Sequence, residues 1–331
     1  MAAVLLSSAC TGGDEPSGGT VRETSREKVA SALVANVVIP GYLALATSAD
    51  QLTSAVTALC VASTDPLVLE HARQMWSETA LAWARTRAFR LGPAMGLRSM
   101  SKIDFPIDRK KIDALLLGTA VDEAAVANLG ADQRGLSGVE LVLFAPAASS
   151  ERRCTYARSA ASLVAQAAHA VHDGWVTGPS IETKTFVDDS VNGMVFALAD
   201  VADTQLGKAS GKITGTPKFA DIDSGPARLA LVEMLAMLDS VEVMSSGGQG
   251  GTGIAALISS QSNDAAQRLA TQLAKARSAV EAIPAPLAET RNTAPVEAAY
   301  EAVRVPLVTM RSEIASLLGV TLTLGDADGD S

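Results

Sequence analysis

The 331-residue chain is poor in the residues that most reactions of proteins rely on. Histidine occurs three times, at His71, His169 and His172, and never within HExxH, which supplies two helical zinc ligands and a general base. A GxSxG elbow is missing too, so the sequence writes out neither a common zinc hydrolase nor a serine hydrolase. Aromatics make up only 4% of the residues, and long windows lack the alternation of a half-buried strand. A β-sandwich or barrel is therefore excluded in favour of helices. Positive charge is the minority sign, with 27 Lys+Arg against 36 Asp+Glu and a net charge of -9. Such a surface repels phosphate backbones, which removes nucleic acid as a partner.

What is present is a large apolar share, 48%, enough to fill a sizeable core. The three cysteines fall into two groups. MAAVLLSSAC, residues 1–10, joins a short apolar run to small residues and Cys10, and a Gly/Ser/Pro/Asp stretch follows. This resembles the end of a bacterial lipoprotein signal peptide, with Cys10 the lipidated residue and residues 11–25 a polar linker. The other reading is a tail with an incidental cysteine. Export leaves Cys60 and Cys154 as a pair in an oxidising compartment, so a disulfide is expected; two buried thiols are the alternative. Later in the chain there is no uninterrupted apolar run of ~20 residues, and no membrane span is expected.

Helical periodicity runs through the rest. Leu33, Val37, Leu52, Val56 and Leu59 predict helix over 28–60, either one long helix kinked at Pro40-Gly41 or two helices that meet there. Asp65-Pro66 starts a helix that reaches Leu91 and stops at Gly92-Pro93. Residues 93–108 read as a loop, followed by helices at 109–118, 122–129, the Glu140 segment and 151–176. Helices at 181–205, from Pro226 with Ser224 as its cap, 263–283 and 293–318, kinked at Pro306, complete the pattern. The expected fold is all-α, with two four-helix-bundle-like domains packed side by side: 26–180, and 181–331 with its Asp-rich tail.

One stretch breaks the apolar pattern. In RGLSGVELVLFAP, residues 134–146, Glu140 sits among Leu136, Val139, Leu141, Val142, Leu143 and Phe144. A buried lone carboxylate costs several kcal/mol or takes up a proton, so a partner is required. Arg85, Arg87 and Arg90 at the end of the 66–91 helix are the candidates.

Several segments together resemble the imelysin family, also called M75 peptidase-like. They are VIPGYLALATSADQL at 38–52, ARQMWSETALAWARTRAFRLGP at 72–93, DFPID at 104–108 and LGVTLTLGDADGDS at 318–331. The resemblance implies exported, often lipid-anchored bacterial proteins of two helical bundles, associated with iron uptake. It also implies a GxHxxE motif at a site near the junction of the bundles. Here Gly135 and Glu140 match that motif, and Ser137 stands in place of the histidine.

His and Glu at i and i+3 share a helical face and would both reach a metal, but a neutral serine hydroxyl is a poor ligand. The expectations at Glu140 are a metal, iron or another divalent ion, helped by ligands from elsewhere, or the arginine pair. Trp76 and Trp83, seven apart on one face, read as core, with cleft lining as the alternative that would join Trp83 to Arg85, Arg87 and Arg90. His169 and His172 read as a surface metal pair or as solvated helix residues, and His71 has no ligand role. Asp326, Asp328 and Asp330 start like a calcium loop that lacks its closing glutamate, or form a structural tail. The chain is thus expected to be a non-catalytic binding protein in iron uptake or handling, in the periplasm and lipid-anchored, on the outer membrane. Its partner is a metal, a small ligand or another envelope protein. The alternatives are a docking protein without metal and a metallopeptidase.

Overall fold

Alanine- and leucine-rich segments with apolar residues every three or four positions give the computed structural model its helices. It describes residues 18–62, 65–118, 121–144, 150–178, 181–208, 210–217, 226–290 and 293–323. No strand occurs among them. Cys10, Ser224, Asp326, Asp328 and Asp330 lie outside the described residues.

The chain opens with helix α1 (Gly18–Leu33), which a π-turn at Val34–Val38 joins to α2 (Ile39–Val61). Helix therefore begins inside the stretch expected to be a linker. The expected break at Pro40-Gly41 also lies one turn earlier. Proline at the second position of α2 gives up an N–H that the helix start does not need, and the irregularity falls on the preceding turn, where Ile39 N–H reaches back to Val34 O. Gly41 leaves room for Phe89, whose Cζ would lie 2.8 Å from a Cβ. Ser25–Val61 is long and apolar enough to cross a bilayer by length and composition. Its inner stripe of Val29, Leu33, Val38, Tyr42, Leu45 and Leu52 is core.

Around α2 pack α3 (Pro66–Ala84), capped by Asp65, and the long α9 (Glu151–Val176), capped by Ser150. Between α3 and α9 the chain makes short helices: α4 (Pro93–Gly96), α5 (Ser99–Ile103), α6 (Arg109–Leu117), α7 (Glu123–Ala127) and α8 (Leu136–Phe144). The stretch read as loop thus contains α4 and α5. Helix α3 also stops at Ala84, and a 3-10 turn, Arg87–Phe89, continues the chain. A disulfide joins Cys60 to Cys154, tying the end of α2 to the start of α9 across Cα atoms 5.5 Å apart.

The second set comprises α10 (Thr183–Ala199) with its π-helical extension Asp200–Lys208, α11 (Ala230–Ser246), α12 (Ile254–Gln261), α13 (Asn263–Glu281), α14 (Leu287–Thr290), α15 (Ala294–Thr309) and α16 (Ala315–Leu318). A π-turn at Met310–Ile314 follows the turn that holds Pro306. Helices α10, α11, α13 and α15 pack together. The boundary between the sets does not follow chain order. Helix α1, assigned from the sequence to the first bundle, packs on α10 and α12, and Arg26 donates to Leu318 O at 2.6 Å. The apolar stripe from Val29 to Val56, about 40 Å long, outruns a single bundle, so its start packs on the other.

The disulfide spans 94 residues, and by chain entropy its removal costs about 2–4 kcal/mol. We expect Cys60→Ala/Cys154→Ala to unfold at lower urea than the oxidised protein. Dithiothreitol should lower the midpoint of the wild type and leave that of the variant in place.

Candidate functional site

The segment GLSGVE is placed by two glycines. Gly135 has φ +87°, and a Cβ there would lie 2.8 Å from Ile103 O, so only glycine lets this turn lie against the end of α5. At Gly138 a Cβ would lie 2.2 Å from the Tyr156 hydroxyl, which donates to Gln133 O at 2.9 Å. The Trp76 indole N–H donates to Leu136 O at 2.8 Å and ties the start of α8 to α3.

Ser137 is committed to a carboxylate that sequence reasoning passed over. Asp104, from DFPID, accepts from the Ser137 amide at 3.1 Å and from its hydroxyl at 2.6 Å, acting as a helix cap from outside the helix. Burial pushes the Asp104 carboxyl up, while the Ser137 hydrogen bonds and the charges of Arg90 and Arg87 hold it down. The signal for Asp104 lay in the short DFPID loop, but only the fold brings it to position 137.

Glu140 is 4% exposed. Its Oε1 accepts from the Ala227 N–H at 2.9 Å, in the segment leading into α11, so this carboxylate lies where the two sets of helices meet. The three arginines expected beside it have other partners. Arg85, half-exposed, approaches Asp239 at 3.7 Å. Arg87, 8% exposed, meets Asp200 at 2.6 Å and lies over the Phe196 ring, 4.7 Å from its centroid. Arg90 covers Trp83, 3.5 Å from the ring centroid, and donates to Trp83 O, to the Thr86 hydroxyl and to Met100 Sδ. Burial and the neighbouring Arg87 lower its pKa. The physical reason for the different partners is the early end of α3: the 3-10 turn swings Arg87 towards α10 instead of continuing down the first bundle.

That turn is the tightest contact between the two sets. Ala88 N–H donates to the Ser240 hydroxyl of α11 at 3.1 Å, and a Cβ on Gly193 of α10 would lie 2.2 Å from Ala88 O. Tyr42 donates to Phe89 O at 3.3 Å and sets its ring edge-on to Phe89.

A metal does not fit the donors described. No group of three or more His, Cys, Asp or Glu converges among the described residues, and Ser137 offers only a neutral hydroxyl. The two HAVH histidines act separately: His169 pairs with Asp50 at 2.9 Å and His172 with Asp173 at 3.0 Å. His71 lines a groove of about 600 Å³ with Asp50, Met75 and Glu78, away from α8. Trp76 and Trp83 are both buried, and Trp83 also forms the wall beneath Arg90.

The family model for imelysin, peptidase M75, matches residues 38–310. Among solved structures, an imelysin-like protein from Psychrobacter arcticum is similar with a TM-score of 0.79 at 19% identity, covering 91% of this chain and 98% of its own. A protein described as an iron-regulated protein A precursor, from Parabacteroides distasonis, is similar with a TM-score of 0.76 at 17% identity, covering 92% of this chain and 97% of its own. No curated protein matches.

Two outcomes follow from the geometry. Removing one partner of the buried Arg87–Asp200 pair leaves an uncompensated charge, so Asp200→Ala should cost about 3–5 kcal/mol in urea unfolding. Asp104 holds its proton in the fold over a range where the unfolded chain has lost it. Its own contribution therefore favours the fold below its ordinary value of 3.8 and is lost as pH rises through the raised folded value. The stability of Asp104→Asn relative to wild type should accordingly improve from about pH 4 to about pH 7; a constant difference across that range would contradict it.

Proposed function

The chain belongs to the imelysin family, and on that premise we propose that it is a non-catalytic binding protein of the bacterial envelope. It serves iron uptake or handling and recognises its ligand at the seam around Ser137 and Glu140. The observation that carries this reading is the Glu140 side chain, buried in one set of helices and bonded to the Ala227 amide of the other. A ligand that altered this contact would change how the two sets fit, which is how binding becomes a signal. The iron role is supported by the similarity to a protein described as iron-regulated.

GLSGVE alone would be a weak metal site, since Ser137 and Glu140 offer one strong donor between them. Among the described residues no group of His, Cys, Asp or Glu converges that could hold a catalytic zinc. Docking of an envelope protein is the second reading, favoured by the Ser137–Asp104 bond, which uses the one proton that the Ser137 hydroxyl could donate to a ligand. Anchoring through Cys10, with export to an oxidising compartment, accords with the Cys60–Cys154 bridge.

A strain lacking the gene should grow more slowly on iron-limited medium, and wild-type protein should restore growth while Glu140→Gln should not. Equal rescue by both proteins would remove Glu140 from the function. Stoichiometric iron in protein purified from that strain, lost in Glu140→Gln, would overturn the metal-free site. Cys10→Ala should release the protein from the membrane fraction.

A further inference from the structure

Beside Ser137 the seam holds an arrangement that the folded chain leaves chemically incomplete. Arg87 and Arg90 both direct an Nη1 at the same atom, Met100 Sδ, at 3.4 and 2.7 Å. A thioether is a weak acceptor, and two guanidinium groups on one sulfur use a small part of their hydrogen-bonding capacity. In addition, Arg87 Nε is buried and has no acceptor, in a side chain more than nine-tenths buried. Asp200 satisfies Arg87 through Nη2 only.

The two planes are pre-set by their surroundings. Phe196 lies against Arg87 and Trp83 against Arg90, so the rings occupy the guanidinium faces; Asp200 takes Arg87 Nη2, the Thr86 hydroxyl and Trp83 O take Arg90 Nε and Nη2, and the two Nη1 groups are left facing Met100. An oxyanion in the place of the sulfur would accept one charge-assisted N–H from each Nη1, one from either arginine. The Met100 side chain fills that place now. Methionine is unbranched and flexible, and this one is partly exposed on the short helix α5, next to the left-handed Arg98 at φ 52°. Arg90 and Asp104 are likewise only partly buried, which leaves the cluster open to solvent on the side of α5.

We propose that Arg87 and Arg90 form a binding site for a small oxyanion, a carboxylate or a phosphate group, which displaces the Met100 side chain. This deepens the seam reading and rests on it, since it names the ligand class of that seam. The nearby carboxylates do not oppose such a ligand strongly: Asp200 is paired with Arg87, and Asp104 turns its Oδ1 to Ser137.

Citrate and inorganic phosphate are the probes, titrated calorimetrically into the full chain at low salt. One or both should bind. Met100→Ala, which empties the place, should bind at least about fivefold more tightly, a gain that unfolding does not produce. Arg90→Gln in the Met100→Ala background should weaken binding about tenfold or more, the loss expected for charge-assisted hydrogen bonds. Circular dichroism establishes that each variant is folded. Citrate alone would assign the site to carboxylates and phosphate alone to phosphate esters; either supports the proposal. It is overturned if Met100→Ala binds neither anion, or if Arg90→Gln leaves its affinity unchanged. Should that happen while iron-limited growth still depends on Glu140, the anion is refuted and the binding protein stands.

Discussion

The contact on which this architecture depends is the insertion of one short turn, residues 87–89, between two helices of the other half of the molecule. Its chemistry is a charge pair almost closed to water, Arg87 with Asp200. Such a pair contributes little net stability, because desolvating both ions offsets their attraction, but mispairing it is expensive. What it supplies is specificity of register. Around it the backbone approaches so closely that Gly193 has to be glycine, and the Ala88 amide finds its acceptor in Ser240. The long first helix reinforces the same register from the opposite direction, since α1 is buried by the second set and α2 by the first.

This junction explains why the polar residues of the chain gather where they do. Glu140 reaches across to Ala227, Arg90 lies against Trp83, and Asp104 caps α8 through Ser137. Each of these groups lies in or beside an apolar environment and is held by named donors or acceptors, as burial of polar groups demands. Serine at position 137 turns what the family resemblance describes as a ligand position into a capping contact. Its hydroxyl donates to a carboxylate 2.6 Å away and, being neutral, is a poor metal ligand in the place of an imidazole. In the proposed seam, recognition falls to the Nη1 groups of Arg87 and Arg90 beside it, which share one sulfur as their acceptor.

Helical content, the long α9, the capping role of Asp65 and the pairing of Cys60 with Cys154 were legible in the order of residues. So was the peculiarity of Glu140, because a carboxylate in an apolar run announces a partner. Who that partner is was not legible. Arg85, Arg87 and Arg90 stood close in sequence to the expected place, yet the end of α3 at Ala84 sends them to Asp239, Asp200 and Met100. The short helices α4, α5 and α12 also escaped, since segments of four to eight residues carry too few turns for a period to appear.

By itself the sequence determined that this is an acidic, helical chain with a carboxylate set among apolar residues and with neither an HExxH nor a GxSxG motif, because composition and periodicity are local properties. The tertiary structure alone decided that α1 belongs with the second set, that Asp104 meets Ser137 and that two arginines share one sulfur. These contacts join residues 10 to nearly 300 positions apart, and their partners are chosen by which helix faces must be buried together, a condition on the whole chain that no window of it contains.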